Sequence, residues 1–246
     1  MDVSEAVGGV MDELRALADP ARAASERRYL KSELVHLGVP LPAIRTAARG
    51  LVRAKPGREE SLALAEALWG QAEDGRPVHE ARMAAIEVLV HRVGVLEPGD
   101  AAVAERLVRA SESWVYVDNL AEKVVGRLTV RFPDLARLLD RWVADPCMWV
   151  RRTAMLALLP GVRTGAPDLD RISRYGDALL DEREFFIRKA VGWVLREHSK
   201  KDPGWVGAWV EPRTGRISGV TIREAVRHLP GPDAERLMAA YRGQPR

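Results

Sequence analysis

Three short stretches hold side chains whose type and spacing could do chemistry. In residues 113–126, SWVYVDNLAEKVVG, Trp114 and Asp118 stand four apart. On a helix that spacing stacks an indole and a carboxylate on one face. A carboxylate so placed can stabilise a cation developing beside it, and an indole face attracts cationic or polarised C–H groups at about 0.5–2 kcal/mol each. Taken alone, Asp118 reads more readily as a carboxylate complementing the dipole near a helix N-terminus than as a catalytic group.

Residues 184–201, EFFIRKAVGWVLREHSKK, form the second stretch. Lys189, Trp193, Arg196 and Lys200 follow one another at spacings of four, three and four, so a helix puts them on one face. Ile187, Val191, Val194 and His198 keep the same rhythm on another face, which Phe186 and Ala190 widen. A tryptophan in a cationic stripe suits a phosphate backbone lying along the helix. The competing reading is a core tryptophan whose basic neighbours snorkel to water. The third stretch, residues 148–159, reads MWVRRTAMLALL. It opens with Trp149 and takes Arg151 and Arg152 into an apolar helix, where charges are costly unless they face a partner or a groove.

Familiar catalytic signatures are missing. His79-Glu80 resembles the start of a zinc helix, but Met83 occupies the second ligand position. The five histidines, His36, His79, His91, His198 and His228, never pair at metal spacing along the sequence, and the single Cys147 excludes a cysteine zinc site or a disulfide framework. No metal and no cofactor is expected. There is no phosphate loop, dinucleotide fingerprint or nucleophile elbow.

The elements that position these residues are helical. Apolar residues recur at three- and four-residue spacings between Pro/Gly breaks, and no β-hairpin is expected. Helices are predicted over 4–18, 22–36, 41–54, 59–70, 78–93, 100–112, 114–131, 133–144, 148–159, 168–181, 184–200, 203–211, 218–229 and 233–242, with breaks that include Pro160-Gly161. Helix pairs repeating roughly every 35–40 residues describe an all-α curved solenoid of HEAT-like antiparallel pairs. An irregular helical bundle is the alternative. No linker divides the chain, so a single domain over 1–246 is expected.

Composition adds limits. The 246 residues are 47% apolar and 30% charged, with a formal net charge of +3. The charge is uneven: residues 147–246 hold 18 basic and 12 acidic side chains, against 20 and 23 in the first 146. A basic half suggests a local surface for a polyanion. No window reaches the ~18 apolar residues of a membrane helix, and acidic residues interrupt the N-terminus, so no signal peptide, no membrane contact and a cytoplasmic address are expected.

Together the three stretches resemble the AlkD-like DNA glycosylases, the HEAT-repeat branch of the DNA alkylation-repair enzymes. The family's Trp-x-x-x-Asp pair is matched by Trp114 and Asp118, with Val117 before the aspartate. Its later helix, Phe-Phe-Ile-x-Lys-Ala-x-Gly-Trp-Val-Leu-Arg-Glu, is matched by residues 185–197, and its Trp-x-x-Arg by Trp149 and Arg152. Weaker echoes lie in Tyr29-Leu30-Lys31, Leu37-Gly38-Val39, Leu68-Trp69 and Arg223-Glu224-Ala225, so the resemblance spans most of the chain. Two places depart from the family. Ser113 stands where a second tryptophan is common, and Pro40-Leu41-Pro42 replaces a polar loop, which puts that loop's DNA contacts in doubt.

The resemblance implies a monomeric glycosylase that acts on duplex DNA containing alkylated purines. Asp118, Trp114 and Trp193 would be catalytic. Arg152, Lys189, Arg196 and Lys200, with Arg151 and Trp149, would hold DNA on a concave basic face. A backbone clamp that leaves the base stacked would tolerate bulky adducts. A non-catalytic DNA-binding protein and a protein–protein scaffold are the competing readings; retention of both tryptophans and the aspartate argues against the first, and the cationic stripe against the second.

Overall fold

The computed structural model describes residues 2–244. In chain order the helices are α1 (Val3–Ala16), α2 (Pro20–Leu30), α3 (Leu41–Leu51), α4 (Arg58–Trp69), α5 (His79–Arg92), α6 (Ala101–Arg109), α7 (Trp114–Leu120), α8 (Arg127–Arg131), α9 (Ala136–Trp142), α10 (Met148–Leu156), α11 (Leu159–Thr164), α12 (Leu169–Leu179), α13 (Phe185–Ser199), α14 (Pro203–Val210), α15 (Gly219–Ala225) and α16 (Gly231–Arg242). The all-α expectation holds. Among the described residues the one sheet is a two-stranded hairpin, β1 (Ala72–Glu73) and β2 (Arg76–Pro77).

That hairpin corrects the sequence reading. Asp74 and Gly75 join the strands with φ of 51° and 73°. Such a left-handed pair makes the tight turn whose twist suits two antiparallel strands, and Asp-Gly is one of its favoured signatures. Pro160-Gly161 is a second correction, because Pro160 lies in the first turn of α11 instead of ending a helix. At that position a proline's missing N–H has no intrahelical partner to lose.

The helix expected over 22–36 stops at Leu30, where Lys31 turns left-handed with φ 50°. Tertiary contacts then hold the next residues extended. The N–H of Val35 donates to the Pro77 carbonyl at 3.0 Å, and that of His79 to the Val35 carbonyl at 2.8 Å. The Glu80 carboxylate, wholly buried, accepts from the N–H groups of Leu37, Gly38 and Val39 at 3.0, 2.7 and 3.2 Å. Burial raises the Glu80 carboxyl above its ordinary value, and those N–H groups work against the rise.

The chain divides into two compact units, one ending at Leu120 and the other starting at Ala121. In the first, α3 and α4 pack on α5, α1 lies against α3 and α4, and α7 also meets α5. Helix α5 is buried on almost every side, as a central helix must be. In the second unit α13 is the hub and touches α10, α11, α12, α14 and α15.

Within each unit, ion pairs join residues one repeat apart. Arg45 meets Glu87 and Arg58 meets Asp100, each 42 residues on. In the second unit Asp140 meets Arg171, Asp177 meets Arg213 and Asp181 meets Arg216, 31 to 36 residues on. These spacings bracket the period read from the sequence.

Candidate functional site

Helix α7 sorts its residues by face. Tyr116, Val117 and Leu120 are buried, while Trp114 and Asp118 stand one turn apart on a partly exposed side. The shared face expected from four-residue spacing is therefore present, with the buried trio on the other side of the helix. Tyr29 of α2, which is 74% exposed, meets the Trp114 indole edge to face, with centroids 6.3 Å apart. The sequence reading gave Tyr29 no role. An exposed tyrosine braced by a half-buried tryptophan adds a second aromatic surface to this face. The residues directly after α7, Ala121–Gly126, form a π-helical turn, a rare feature frequent at functional sites.

In the second unit, Trp149 of α10 and Phe186 of α13 pack at 5.3 Å, and Phe185 meets Phe186 at 5.4 Å. Arg152 is only 2% exposed. Its guanidinium donates to the Phe186 carbonyl and lies 5.8 Å from that ring's centre. Arg151 pairs with Glu182 at 2.8 Å and donates to the Asp145 and Pro146 carbonyls at 2.7 and 2.9 Å. The cost of paired arginines in an apolar helix is thus met inside the protein.

Helix α13 presents the expected split. Ile187, Ala190, Val191, Val194 and His198 are buried, and Trp193 is partly exposed. The three cations of its stripe, however, carry acidic partners. Lys189 and Arg196 both hold the Glu224 carboxylate of α15, and Lys200 pairs with Glu197 at 2.7 Å. Burial raises the Glu224 carboxyl, but Lys189 and Arg196 more than offset it and leave it below its ordinary value. The sequence reading met Glu224 only within a weak family echo and gave it no role, since nothing in α15 alone shows that it faces α13.

The histidine reading also needs correcting. His36 and His79 lie 43 positions apart in sequence, yet their rings stack at 4.4 Å beside Glu26. Linear spacing does not register a pair that the extended segment after α2 brings together.

An all-α chain with partners one repeat apart belongs to the class of helical-repeat proteins. A family model described as DNA alkylation repair enzyme matches residues 10–229, and the chain belongs to that family. Its broad role, DNA alkylation repair, comes with the membership. Among solved structures, a predicted DNA alkylation repair enzyme from Enterococcus faecalis is similar with a TM-score of 0.77 at 22% identity, covering 87% of this chain and 97% of that one. AlkD2 from Streptococcus mutans has a TM-score of 0.59 at 18% identity, covering 78% and 91%. The smu.31 protein of Streptococcus mutans UA159 has 0.58 at 20% identity, covering 77% and 93%. At these identities the likeness is one of fold. A search of the curated proteins finds no match. Among the described residues no helix is long and apolar enough to cross a membrane.

Proposed function

We propose that this chain is a DNA N-glycosylase that releases N3- or N7-alkylated, cationic purines from duplex DNA. The observation that supports it most is the pairing of Trp114 with Asp118 on the partly exposed side of α7, in a member of the DNA alkylation repair enzyme family.

The chemistry suits those residues. Alkylation has already made the base a cation, so it leaves without a general acid. The C1′–N bond breaks, and its electron pair goes to the base, which becomes neutral. The deoxyribose is left oxocarbenium-like, and a carboxylate stabilises that charge as it develops. Water then adds to C1′ and gives up a proton. Asp118 supplies the negative charge and orients the water, while Trp114 and Trp193 offer indole faces to the polarised sugar. Lys189, Arg196 and Lys200, near the exposed side of α13, take phosphates; Arg151, Arg152 and Trp149 support that binding from α10.

The base stays in the stack, because the chain grips the backbone instead of enclosing a flipped nucleotide. Bulky adducts are therefore accepted, provided that they are charged and labile. The test is release of free base from duplexes carrying 7-methylguanine, 3-methyladenine or a bulky N3-adenine adduct. Duplex binding with no release of any of the three would turn the reading to a non-catalytic DNA-binding protein.

A further inference from the structure

Three buried or half-buried ligand-type side chains of the first unit converge from separate elements. Glu26 comes from α2, His36 from the extended segment after it, and His79 from the first turn of α5. Each offers a ligand atom within 4.8 Å of the others. The His36 side chain is wholly buried, and neither of its ring nitrogens has a hydrogen-bond partner. One Glu26 oxygen pairs with Arg22 at 2.7 Å; the other, Oε2, is buried without a hydrogen bond, 4.0 Å from His36 Nδ1. Buried polar atoms left without partners are costly, and an ion is one of the few things that explain them.

We propose that Glu26, His36 and His79 bind a divalent transition metal of the zinc class. Two imidazoles and a carboxylate, with water in the fourth position, make a tetrahedral donor set for such an ion. His79 already has the outer partner that orients a metal-bound imidazole, since its Nδ1 meets the Tyr116 hydroxyl at 2.6 Å and leaves Nε2 for the ion. Burial lowers the pKa of His36 to about 4 and of His79 to about 3, so both rings hold the neutral form that a metal requires.

Binding requires one local movement. Ligand atoms around tetrahedral zinc stand about 3.3 Å apart, and the ion lies in the plane of each imidazole. The two rings are stacked, 13° from parallel, so no point within bonding distance of both lies in both planes. His36, which has no hydrogen bond to lose, is the ring that turns. The bound ion would tie α2 to α5, and through Tyr116 to α7, two residues before Asp118. The proposal does not depend on base excision.

The test uses the full chain, stripped with a chelator and titrated with Zn²⁺ by calorimetry and with Co²⁺ by visible absorption. Wild type should saturate at one Zn²⁺ per chain, give the absorption of tetrahedral Co²⁺ and melt at a higher temperature when loaded. Tyr116→Phe should keep the stoichiometry but bind about 10–100-fold more weakly, as expected when an outer partner is lost. Glu26→Gln, at a half-buried position that leaves the core alone, should lose more than that; His36→Asn should lose saturable binding. If water instead fills the space, folded wild type will show no saturable binding, and the proposal fails. It fails equally if Glu26→Gln binds zinc as tightly as wild type.

Discussion

Gly192 of α13 and Glu224 of α15 meet so closely that a β-carbon at 192 would lie 2.7 Å from that of Glu224 and 3.1 Å from the Thr221 carbonyl. The missing side chain lets the two helices close up, and the closure delivers one carboxylate to both Lys189 and Arg196. The Gly-Trp pair at 192–193 thus does two things at once. It sets a helix contact, and it sets which charges flank Trp193.

Glu224 competes with any phosphate for those two cations. Glu224→Gln should therefore tighten duplex binding at low salt, by about 3- to 10-fold, or up to ~1.4 kcal/mol. The plot of log affinity against log salt should steepen by about one unit, because more counterions are released. Fluorescence anisotropy across a salt series measures both. Unchanged affinity and slope would place the DNA away from α13.

Lys200 and Arg152 should behave differently, although the sequence reading put both on DNA. Lys200 is exposed, so Lys200→Ala should leave the melting temperature alone and flatten the salt slope by about one unit. Arg152 is buried against the Phe186 carbonyl. Arg152→Ala should cost ~1–3 kcal/mol of stability, the usual penalty for stranding a buried polar partner. Denaturant melts of the two variants decide this. An Arg152→Ala protein as stable as wild type would return that residue to a purely DNA-facing role.

Asp140 sets a pH dependence. Its hydrogen bond from Arg171, helped by Tyr175 and Arg174, lowers its pKa from 3.8 to about 2. A depressed carboxylate stabilises the fold above its unfolded pKa and loses that effect as pH falls through the folded value. Asp140→Asn should then cost about 1–2 kcal/mol at pH 7, after allowing for partial exposure. The gap between variant and wild type should close between about pH 4 and pH 2. A gap that stays constant down to pH 2 would mean that packing, not charge, is what Asp140 supplies.

Local patterns carried most of the fold because helices are local objects. The faces of α7 and α13 were readable from the spacing of Trp114, Asp118, Ile187, Val191 and Trp193, and burial agrees. What failed was whatever a distant residue decides. The local pattern carries a helix on to residue 36, yet Lys31 turns left-handed, the Val35 backbone pairs with Pro77 and His79, and Glu80 holds the N–H groups of Leu37, Gly38 and Val39. Glu224 engages Lys189 and Arg196, two cations that look open when α13 is read alone. His36 and His79 become neighbours only through the extended segment after α2. Asp74-Gly75 is a different case, since the local signal stands in the sequence between the helices expected over 59–70 and 78–93 and was passed over.

Asp118 is where the chemical reading is most exposed to test. Asparagine keeps the size and hydrogen-bonding shape of the side chain and removes only its charge, on a face that the buried Tyr116, Val117 and Leu120 hold in place. The fold should survive, and grip on DNA should hold or tighten, because a carboxylate repels phosphates. Base excision should fall on the order of 10²-fold or more, the size expected when the main electrostatic stabiliser of a developing charge is lost. The loss should be smaller for the adduct that leaves most readily unaided than for less labile ones, since a bond that breaks readily needs less help. Trp193→Ala should be milder than Asp118→Asn, because it removes a polarisable contact and no charge. Single-turnover release from each duplex, with protein in excess, measures all three. If Asp118→Asn released every base at the wild-type rate, no carboxylate would be stabilising the sugar, and the glycosylase mechanism would lose its central residue.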